Sequence, residues 1–406
     1  MALTKNEVMQ FIEEQNVKFA RLAFCDILGN LKNISISIKE LPKAFERGIG
    51  FDASAVKGFL NIEDSDLFLF PEPDTIAILP WQTSQGREVR FFCVIKRANG
   101  EIFEGDLRYK LRETQIKAFS NNLEFSFGPE CEFYLFKTDE YENPTLTPVD
   151  EAGYFDIAPR DQGENVRREI CLTLDEMGFY TERSHHEQGP GQNEIDFRFS
   201  SPLKAADNFI TFKSVVQTIS SRLGLFASFL PKPLIDQSGN GLHINISVKN
   251  DQAINSYMMA GILKHIKELT LFLNPLTNSY LRLGNFEAPL RTDFGPSNRS
   301  LLIRIPPSSQ RFEVRSPDPS CNPYLVFDLL LKAGIEGIHE KLDPNEIKSQ
   351  ELPASLEEAI KIAEESDFIR NNLNEITFNK FLEIKKIEAE GLKDFSSQLH
   401  HYFSII

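Results

Sequence analysis

The chain has 406 residues, with 44 Lys and Arg against 59 Asp and Glu, a formal charge of −15 at pH 7, and 41% hydrophobic residues. That apolar content over this length supports a large buried core and two domains, and excludes a mainly disordered chain. The acidic balance argues against nucleic acid or an anionic membrane as the main partner and makes small-molecule chemistry the expectation, with room for a local basic pocket that takes phosphates. The five cysteines, Cys25, Cys93, Cys131, Cys171 and Cys321, show no CxxC spacing and cannot all pair within one chain, which fits a reducing cytoplasm. Residues 1–15 carry no apolar leader, and no run approaches the roughly 18 apolar residues of a membrane span, so neither export nor insertion is expected.

Val17 and Phe19, then Ile34, Ile36 and Ile38, alternate with polar residues on either side of the turn-prone stretch 26–30, which predicts a hairpin of half-buried strands. Pro71, Pro73 and Pro80 punctuate what reads as a loop-rich region before an apolar strand over 89–95. A helix is expected over 106–120, and the domain boundary is placed near residue 103, giving domains 1–103 and 104–406. Beyond it the patterning predicts strands over 124–136, 191–199, 242–248, 300–305 and 311–315, and helices over 164–177, 205–223, 256–273 and 323–342. Ser355 and Glu358 have the spacing of a capping box, so a further helix should begin there.

The chemistry concentrates in four clusters. In the segment 127–133, Phe-Gly-Pro-Glu-Cys-Glu-Phe, Glu130 and Glu132 would stand on one face of a strand, ~6–7 Å apart, with Cys131 facing the fold. Like charges so close are tolerable only with cations, protons or solvent. The second cluster, 185–194, flanks a Gly-Pro-Gly turn with Glu187 and Glu194 and supplies His185 and His186. The third, Ser238 to His243, delivers a histidine from a glycine-rich turn onto a strand. The fourth is basic: Arg299 and Arg304, then Arg311 and Arg315 on either side of Glu313, predicted to share one strand face. Taken alone, the first three read more readily as a solvated strand face, a solvated loop and a structural histidine, and the fourth reads equally well as a salt-bridge ladder. Together they supply hard oxygen ligands, an imidazole and arginines, the inventory that holds divalent ions against a nucleoside triphosphate during phosphoryl transfer. A G-x-x-x-x-G-K-[ST] motif is absent, which excludes a P-loop enzyme.

These residues, in this order, resemble the glutamine synthetase family, most of all its prokaryotic type I branch. The family's strand G-P-E-x-E-F-F/Y-L-F stands here as Gly128 to Phe136, its H-H-E-x-x-P-G-Q-x-E-I-D-F segment as His185 to Phe197, and its G-x-G-M/L-H turn as Gly239 to His243. Asn278 to Arg282, Glu287-Ala288-Pro289, Asn298-Arg299-Ser300 and Arg311 to Pro319 also match, as do 24–29, 51–54 and 65–66 near the start. The resemblance spans essentially the whole chain. It implies an α+β fold: an N-terminal β-grasp domain and a large catalytic domain whose curved antiparallel sheet forms a funnel flanked by helices. It implies homo-oligomers of two stacked hexameric rings, a dodecamer, with sites between neighbouring subunits. By the same resemblance Glu132, Glu187 and Glu194 hold one cation, and Glu130, His243 and Glu313 another, with Mg2+ or Mn2+ expected. ATP contacts fall to Glu182, Phe199, Ser247, Arg304 and Arg311. Arg282, Arg315 and Gly239 face the substrate L-glutamate, Arg299 steadies the transferring phosphoryl group, and Asp52 of an adjacent subunit joins Tyr154, Glu187 and Glu287 around ammonium. Glu287 also belongs to a flap.

Several positions depart from the family pattern. Asp-Gly-Ser-Ser-Ile-Glu-Gly becomes Asp52-Ala53-Ser54-Ala55-Val56-Lys57-Gly58, the flap Arg282 to Pro289 is one residue shorter, Ser238 and Asn240 exchange the usual Asn and Ser, and 290–296 differs. Residues 341–345 carry no tyrosine, which argues against regulation by adenylylation there. The leading expectation is ATP-dependent ligation of ammonia to glutamate. The alternatives are γ-glutamylation of an organic amine, motivated by Ala55 and the flap, and a catalytically silent structural or regulatory homologue. The apolar tail 399–406 reads either as an inter-ring tether or as a segment packed on its own domain.

Overall fold

The computed structural model describes residues 3–62, 65–83, 86–249, 252–307 and 310–406. Helix α1 (Lys5–Glu14) opens with a capping box that the sequence reading did not assign: Thr4 Oγ1 accepts from the Glu7 N–H, and the Glu7 carboxylate accepts from the Thr4 N–H at 2.7 Å. The predicted hairpin forms as β1 (Val17–Cys25) and β2 (Leu31–Ser37), and the buried Asp26 fixes its turn by accepting from the N–H groups of Leu28 and Asn30 at 3.0 and 2.9 Å. Helix α2 (Leu41–Arg47) follows. The region read as loops holds three strands, β3 (Ile49–Asp52), β4 (Asp66–Pro71) and β5 (Ala77–Thr83), ahead of β6 (Gly86–Arg97). The prolines misled because Pro71 merely ends its strand and Pro80 lies on β5, which pairs with β6 alone, an edge position where a missing N–H is harmless. The sheet runs β2-β1-β6-β4-β3 with β5 added to β6, and β1 and β6 are parallel. Its core gathers Leu22, Leu41, Leu67, Leu69 and Phe91, all buried.

Helix α3 (Leu107–Ser120) starts at Asp106, whose carboxylate accepts from Tyr109 and also from Ile95 of β6, tying helix to sheet. Strand β7 (Phe125–Thr138) is followed by β8 (Pro144–Pro148), α4 (Glu164–Glu176), β9 (Thr181–His186), β10 (Gln192–Phe197), α5 (Pro202–Arg222), β11 (Leu225–Ser228), β12 (Leu242–Val248) and α6 (Gln252–Leu273). Three short strands, β13 (Phe294–Pro296), β14 (Ile303–Ile305) and β15 (Phe312–Val314), precede α7 (Pro323–Glu340), α8 (Leu356–Glu365), α9 (Asp367–Asn372), α10 (Glu375–Gly391) and α11 (Phe395–Tyr402). Ser355 caps α8 as expected, but the Glu358 carboxylate accepts from the Ala354 N–H at 2.9 Å, one residue earlier than a capping box requires. The tail packs on its own domain, where the Ile406 carbonyl accepts from the Phe229 N–H at 2.8 Å and Phe403 meets Phe136.

The second sheet runs β13-β14-β15-β12-β7-β10-β9, with β8 and β11 also on β7, and is antiparallel except between β13 and β14. Its two faces differ because strand side chains alternate. Phe127, Cys131 and Phe133 of β7, Ile195 of β10, Leu242 and Ile244 of β12 and Val314 of β15 are buried in one apolar core. Phe127 meets Phe327 of α7 and Phe133 meets Phe212 of α5. Each such side chain contributes about 1.5–3 kcal/mol by leaving water.

The two sheets are joined through a buried ionic knot. Arg108 of α3, 6% exposed, donates through Nε and Nη2 to the two carboxylate oxygens of Asp207, each at 2.8 Å, and through Nη1 to Glu72 of the N-terminal region. Tyr324 Oη donates to Asp207 at 2.8 Å, and the Asn322 side chain donates to the carbonyls of Asp26 and Ile27 in the β1–β2 turn. Replacing Arg108 by Met would leave the buried Asp207 carboxylate without its guanidinium while Arg112 still pairs with Glu72, so Arg108→Met should cost about 3–5 kcal/mol, read as a lowered midpoint in urea denaturation.

Candidate active site

Register builds the polar face. Between β7 and β10, Glu130 lies opposite Asp196 and Glu132 opposite Glu194, while Cys131 and Ile195 pair on the far side. Four carboxylates therefore form a two-by-two block. On one flank β9 sets Arg183 opposite Asp196 and His185 opposite Glu194; on the other, β12 sets His243 opposite Glu130. Asn245 of β12 then faces Glu313 of β15, which faces Arg304 of β14. Cross-strand partners point to the same side, so one surface of the sheet carries the whole set.

The donor atoms converge. Glu130, His243 and Glu313 offer ligand atoms within 4.8 Å of one another, with His243 Nδ1 3.9 Å from Glu130 and 3.6 Å from Glu313. A second group within the same limit is His185, Glu187 and Glu194; the Gly-Pro-Gly turn closes it, Gln192 N–H donating to Gly189 O at 2.9 Å. Glu132 stands between the two groups, accepting from the Gly241 N–H at 2.8 Å and Gln192 Nε2 at 3.3 Å, with an oxygen 4.0 Å from His243 Nε2. In the turn that delivers Gly241, a Cβ on that glycine would sit 2.7 Å from the Arg282 guanidinium and 2.8 Å from His243 Nε2, so a larger residue there would displace both side chains. Asn240, wholly buried, pins that turn by donating to the carbonyl of Leu230 at 2.9 Å. A third group, Asp150, Asp161 and His186, is already engaged. His186 joins Asp150 at 3.0 Å and the Glu187 carbonyl at 2.7 Å, while Asp161 pairs with Arg167, so this cluster braces the Glu187 loop.

Two openings flank the carboxylate block. One is a cavity of about 580 Å³ lined by Glu130, Asp196 and Asn245 at its inner end and by Glu182, Phe199, Ser247 and Arg311 further out, a size that accepts a nucleotide-scale ligand. The other, about 30 Å³, is bounded by Glu132, Glu187, Gly239, His243, Arg282 and Arg315 under the flap residues Phe286 and Glu287. That holds little more than a water or two, so the flap lies closed down on it. Phe286 takes φ +54°, and its ring sits 4.6 Å from Nζ of the buried Lys232. Glu287 lies 3.8 Å from Arg315.

Of the sequence-predicted residues, Glu130, Glu132, Glu187 and His243 and all the nucleotide candidates except Arg304 line these two openings, and Glu194 and Glu313 complete the two ligand groups beside them. Arg304 instead grips Glu313 across the sheet, with Arg315 on the other oxygen. The expected carboxylate between two guanidiniums exists, but its second partner comes from β14, and Arg311 lies just outside β15 and lines the larger cavity. Tyr154 stacks on Phe155 at 4.0 Å and meets His185 edge-on. Arg299 is exposed, and its carbonyl accepts from Arg315 Nε at 2.8 Å. Asp52 stands apart at the exposed end of β3, bound to Ser54. Sequence reasoning gave no role to Asp196, Asn245, Gln192 or Arg183, and named His185 only as a member of its cluster. Asp196 and Asn245 were findable, since each sits two residues from an assigned ligand on the same strand, the spacing that singled out Glu130 and Glu132.

The residues fit a divalent cation. Burial, and then the charge of Glu187, pushes the Glu132 carboxyl up to about 8; burial also raises Glu187 and Glu194, the latter well above its ordinary value. His243 is pulled well below the ordinary histidine value by burial and then by Arg315, which leaves the neutral, ligating imidazole. Buried oxygens of Asp196 and Asn245 have no hydrogen-bond partner. A carboxyl whose folded-state pKa is raised from 4.5 to about 8 contributes stability at low pH and loses it as pH rises through about 8. A cation that replaces the proton reverses that loss. The rise in Tm produced by Mg2+ or Mn2+ should therefore be larger near pH ~8.5 than near pH ~6; an increment that is flat or shrinks with pH contradicts this account of the face.

Comparison with known proteins agrees with the geometry. Residues 16–98 match the model for the glutamine synthetase β-grasp domain and 104–402 that for the glutamine synthetase catalytic domain. Glutamine synthetase of Methanosarcina mazei is 41% identical over 96% of this chain and 95% of its own length. That of Clostridium saccharobutylicum is 40% identical over 98% and 97%. Among solved structures, a GmaS/ADP complex superposes with a TM-score of 0.86 at 26% identity, covering 97% of each chain. Plasmodium falciparum glutamine synthetase gives the same TM-score at 24% identity, covering 99% of each. This chain belongs to the glutamine synthetase family.

Proposed function

We infer that this chain uses ATP to join ammonia to the γ-carboxylate of L-glutamate, through γ-glutamyl phosphate. The observation that carries the inference is the buried carboxylate block, placed by strand register between a nucleotide-sized cavity and an arginine-walled pocket under a flap. Mg2+ or Mn2+ would be held by Glu130, His243 and Glu313 and by Glu132, Glu187 and Glu194, with His185 and Asp196 close by, and would supply charge neutralisation for phosphoryl transfer.

Glu182, Phe199, Ser247 and Arg311 are assigned to ATP in the larger cavity, with its phosphates toward Glu130 and Asn245. Arg282, Arg315 and the backbone at Gly239 orient glutamate so that its γ-carboxylate oxygen attacks the γ-phosphorus in line, and Arg299 offsets the charge spreading over the transferred group. A carboxylate is a poor acylating agent, and the phosphorylated form is activated yet hydrolysable, so the flap must exclude water until the amine arrives. Tyr154, Glu187 and Glu287 form the wall where ammonium would dock. Asp52 of a neighbouring copy would take its proton; hydrogen bonds from the Ser54 hydroxyl and N–H hold that carboxyl below its ordinary value, so it arrives ionised.

This role for Asp52 makes the working particle an oligomer with sites between subunits, proposed as two hexameric rings. The division at residues 103 and 104 separates the part that carries Asp52 from the part that carries the other groups. The free state of all five cysteines supports a cytoplasmic location, and no helix among the described residues is long and apolar enough to cross a membrane. A second reading, transfer of the glutamyl group to an organic amine, is favoured by Ala55 beside the Asp52 turn and by the short flap.

Glu132→Ala should abolish metal-dependent ATP turnover with glutamate and ammonia; retained turnover contradicts the mechanism. Phosphate release measured with ammonia and a panel of alkylamines decides the acceptor, and an alkylamine succeeding where ammonia fails would establish the second reading. Lys232→Met removes the cation beneath the Phe286 ring, a contact worth about 0.5–2 kcal/mol. It should raise phosphate release relative to glutamine formed, with the KM for ATP little changed.

A further inference from the structure

Between the two ligand groups of the acidic face lies a third, Glu130, Glu194 and Asp196, whose donor atoms also fall within 4.8 Å of one another. It takes Glu130 from one group and Glu194 from the other, and only Asp196 is its own. Register places all three, with Glu130 opposite Asp196 across β7 and β10, and Glu194 two residues before Asp196 on the same strand face. Carboxylates so close need positive charge beside them. A divalent ion at this position would share ligands with both of its neighbours and be repelled by each.

The chain brings a single positive charge there instead. Arg183 of β9 lies opposite Asp196, and directly before it the pairing slips, Thr181 facing Phe197, so that Glu182 is the extra residue of a bulge. Arg183 Nε donates to Asp196 Oδ2 at 2.7 Å, while Nη2 lies 2.6 Å from the same oxygen and 3.7 Å from Glu130 Oε1. One guanidinium thus meets two of the three carboxylates. The other Asp196 oxygen, Oδ1, is buried without a hydrogen-bond partner, so the protein alone does not saturate this carboxylate. The Arg183 side chain is 63% exposed against 3% for that of Asp196. Arginine enters from the solvent edge and keeps its stem in water, an arrangement that contributes little to stability but fixes a charge at the third position.

We propose that Arg183 is a built-in cation of the active face, standing where a third divalent ion would otherwise bind and limiting the metal-loaded site to the two outer ions. It acts through Asp196 and Glu130, as a positioning residue. The proposal rests on the reading of this face as a divalent-cation site, and the test separates the two. Mn2+ bound to the assembled, nucleotide-free protein is counted by equilibrium dialysis, with the free ion followed by electron paramagnetic resonance. The parent should take up about two Mn2+ per chain, one for each outer group. Arg183→Ala should take up about one more, and Arg183→Gln, which keeps much of the stem, should match it and guards against a fold lost in the smaller variant. Arg183→Lys retains the charge and should stay at the parental count. Adding Asp196→Asn to Arg183→Ala should remove the extra ion. A parental count in both Arg183→Ala and Arg183→Gln overturns the proposal while leaving the metal reading intact. An extra ion in Arg183→Lys, or one that survives Asp196→Asn, overturns it as well, and a parent that binds no Mn2+ overturns both.

Discussion

Everything at the active face rests on the alignment of β7 with β10 and β12. Sliding β7 by one residue would turn Glu130 and Glu132 into the apolar core and bring Cys131 and Phe133 out among the carboxylates. The core therefore sets the geometry of the chemistry. Phe127, Phe133, Ile195, Leu242 and Ile244 lose water only in the register that also stacks the acidic block. The electrostatic cost of that block is met from its edges: Arg183 holds Asp196, Arg304 and Arg315 hold Glu313, and the Gly241 N–H takes Glu132. At the centre, burial and then the charge of Glu187 raise Glu132, which gives a cation its advantage over a proton.

The same economy governs the loops. The Glu187 loop is held by a buried chain from Asp150 through His186 to the Glu187 carbonyl, and the glycine turn before His243 by Asn240. Neither chain touches the space where substrates would lie, yet each fixes a backbone segment that carries an active carboxylate or its hydrogen-bond donor. The flap is anchored only where it begins, the buried Arg282 donating to the carbonyls of Ser316 and Arg315; residues 284–287 beyond it are exposed. Its tip is held by the Phe286 ring over Lys232 and the long Glu287–Arg315 pair, weak enough to be broken and remade in each cycle.

Much of this was legible in the sequence. The i, i+2 carboxylates, the Gly-Pro-Gly turn and the glycine-rich approach to His243 are local signals, and they located the acidic face correctly. What escaped depends on which strand lies beside which. Arg304 clamps Glu313 from nine positions earlier in the chain, through a β14–β15 pairing that periodicity along one strand does not reveal. Strands β3, β4 and β5 escaped because prolines were read as loop markers where they mark a strand end and a sheet edge. Helix α1 and Asp196 were different: Thr4 with Glu7, and Glu194 with Asp196, show in the sequence the same spacings that were used elsewhere.

The shortened flap, Ala55, Lys57, Ser238 and Asn240 have one thing in common in the folded chain: all lie outside β7, β10, β12 and β15. The sheet half of the site is the part assigned above to phosphates and cations, and any change there must satisfy the core and the carboxylate block at once. On the reading proposed above the loop half meets whatever enters last, and there Ala55, Lys57 and the flap tip are exposed, although Asn240 is buried and hydrogen-bonded. Such a molecule can revise its nitrogen donor by substitutions that leave the activation of glutamate untouched. Acceptor choice is the free variable of this architecture, and phosphoryl transfer is its fixed one.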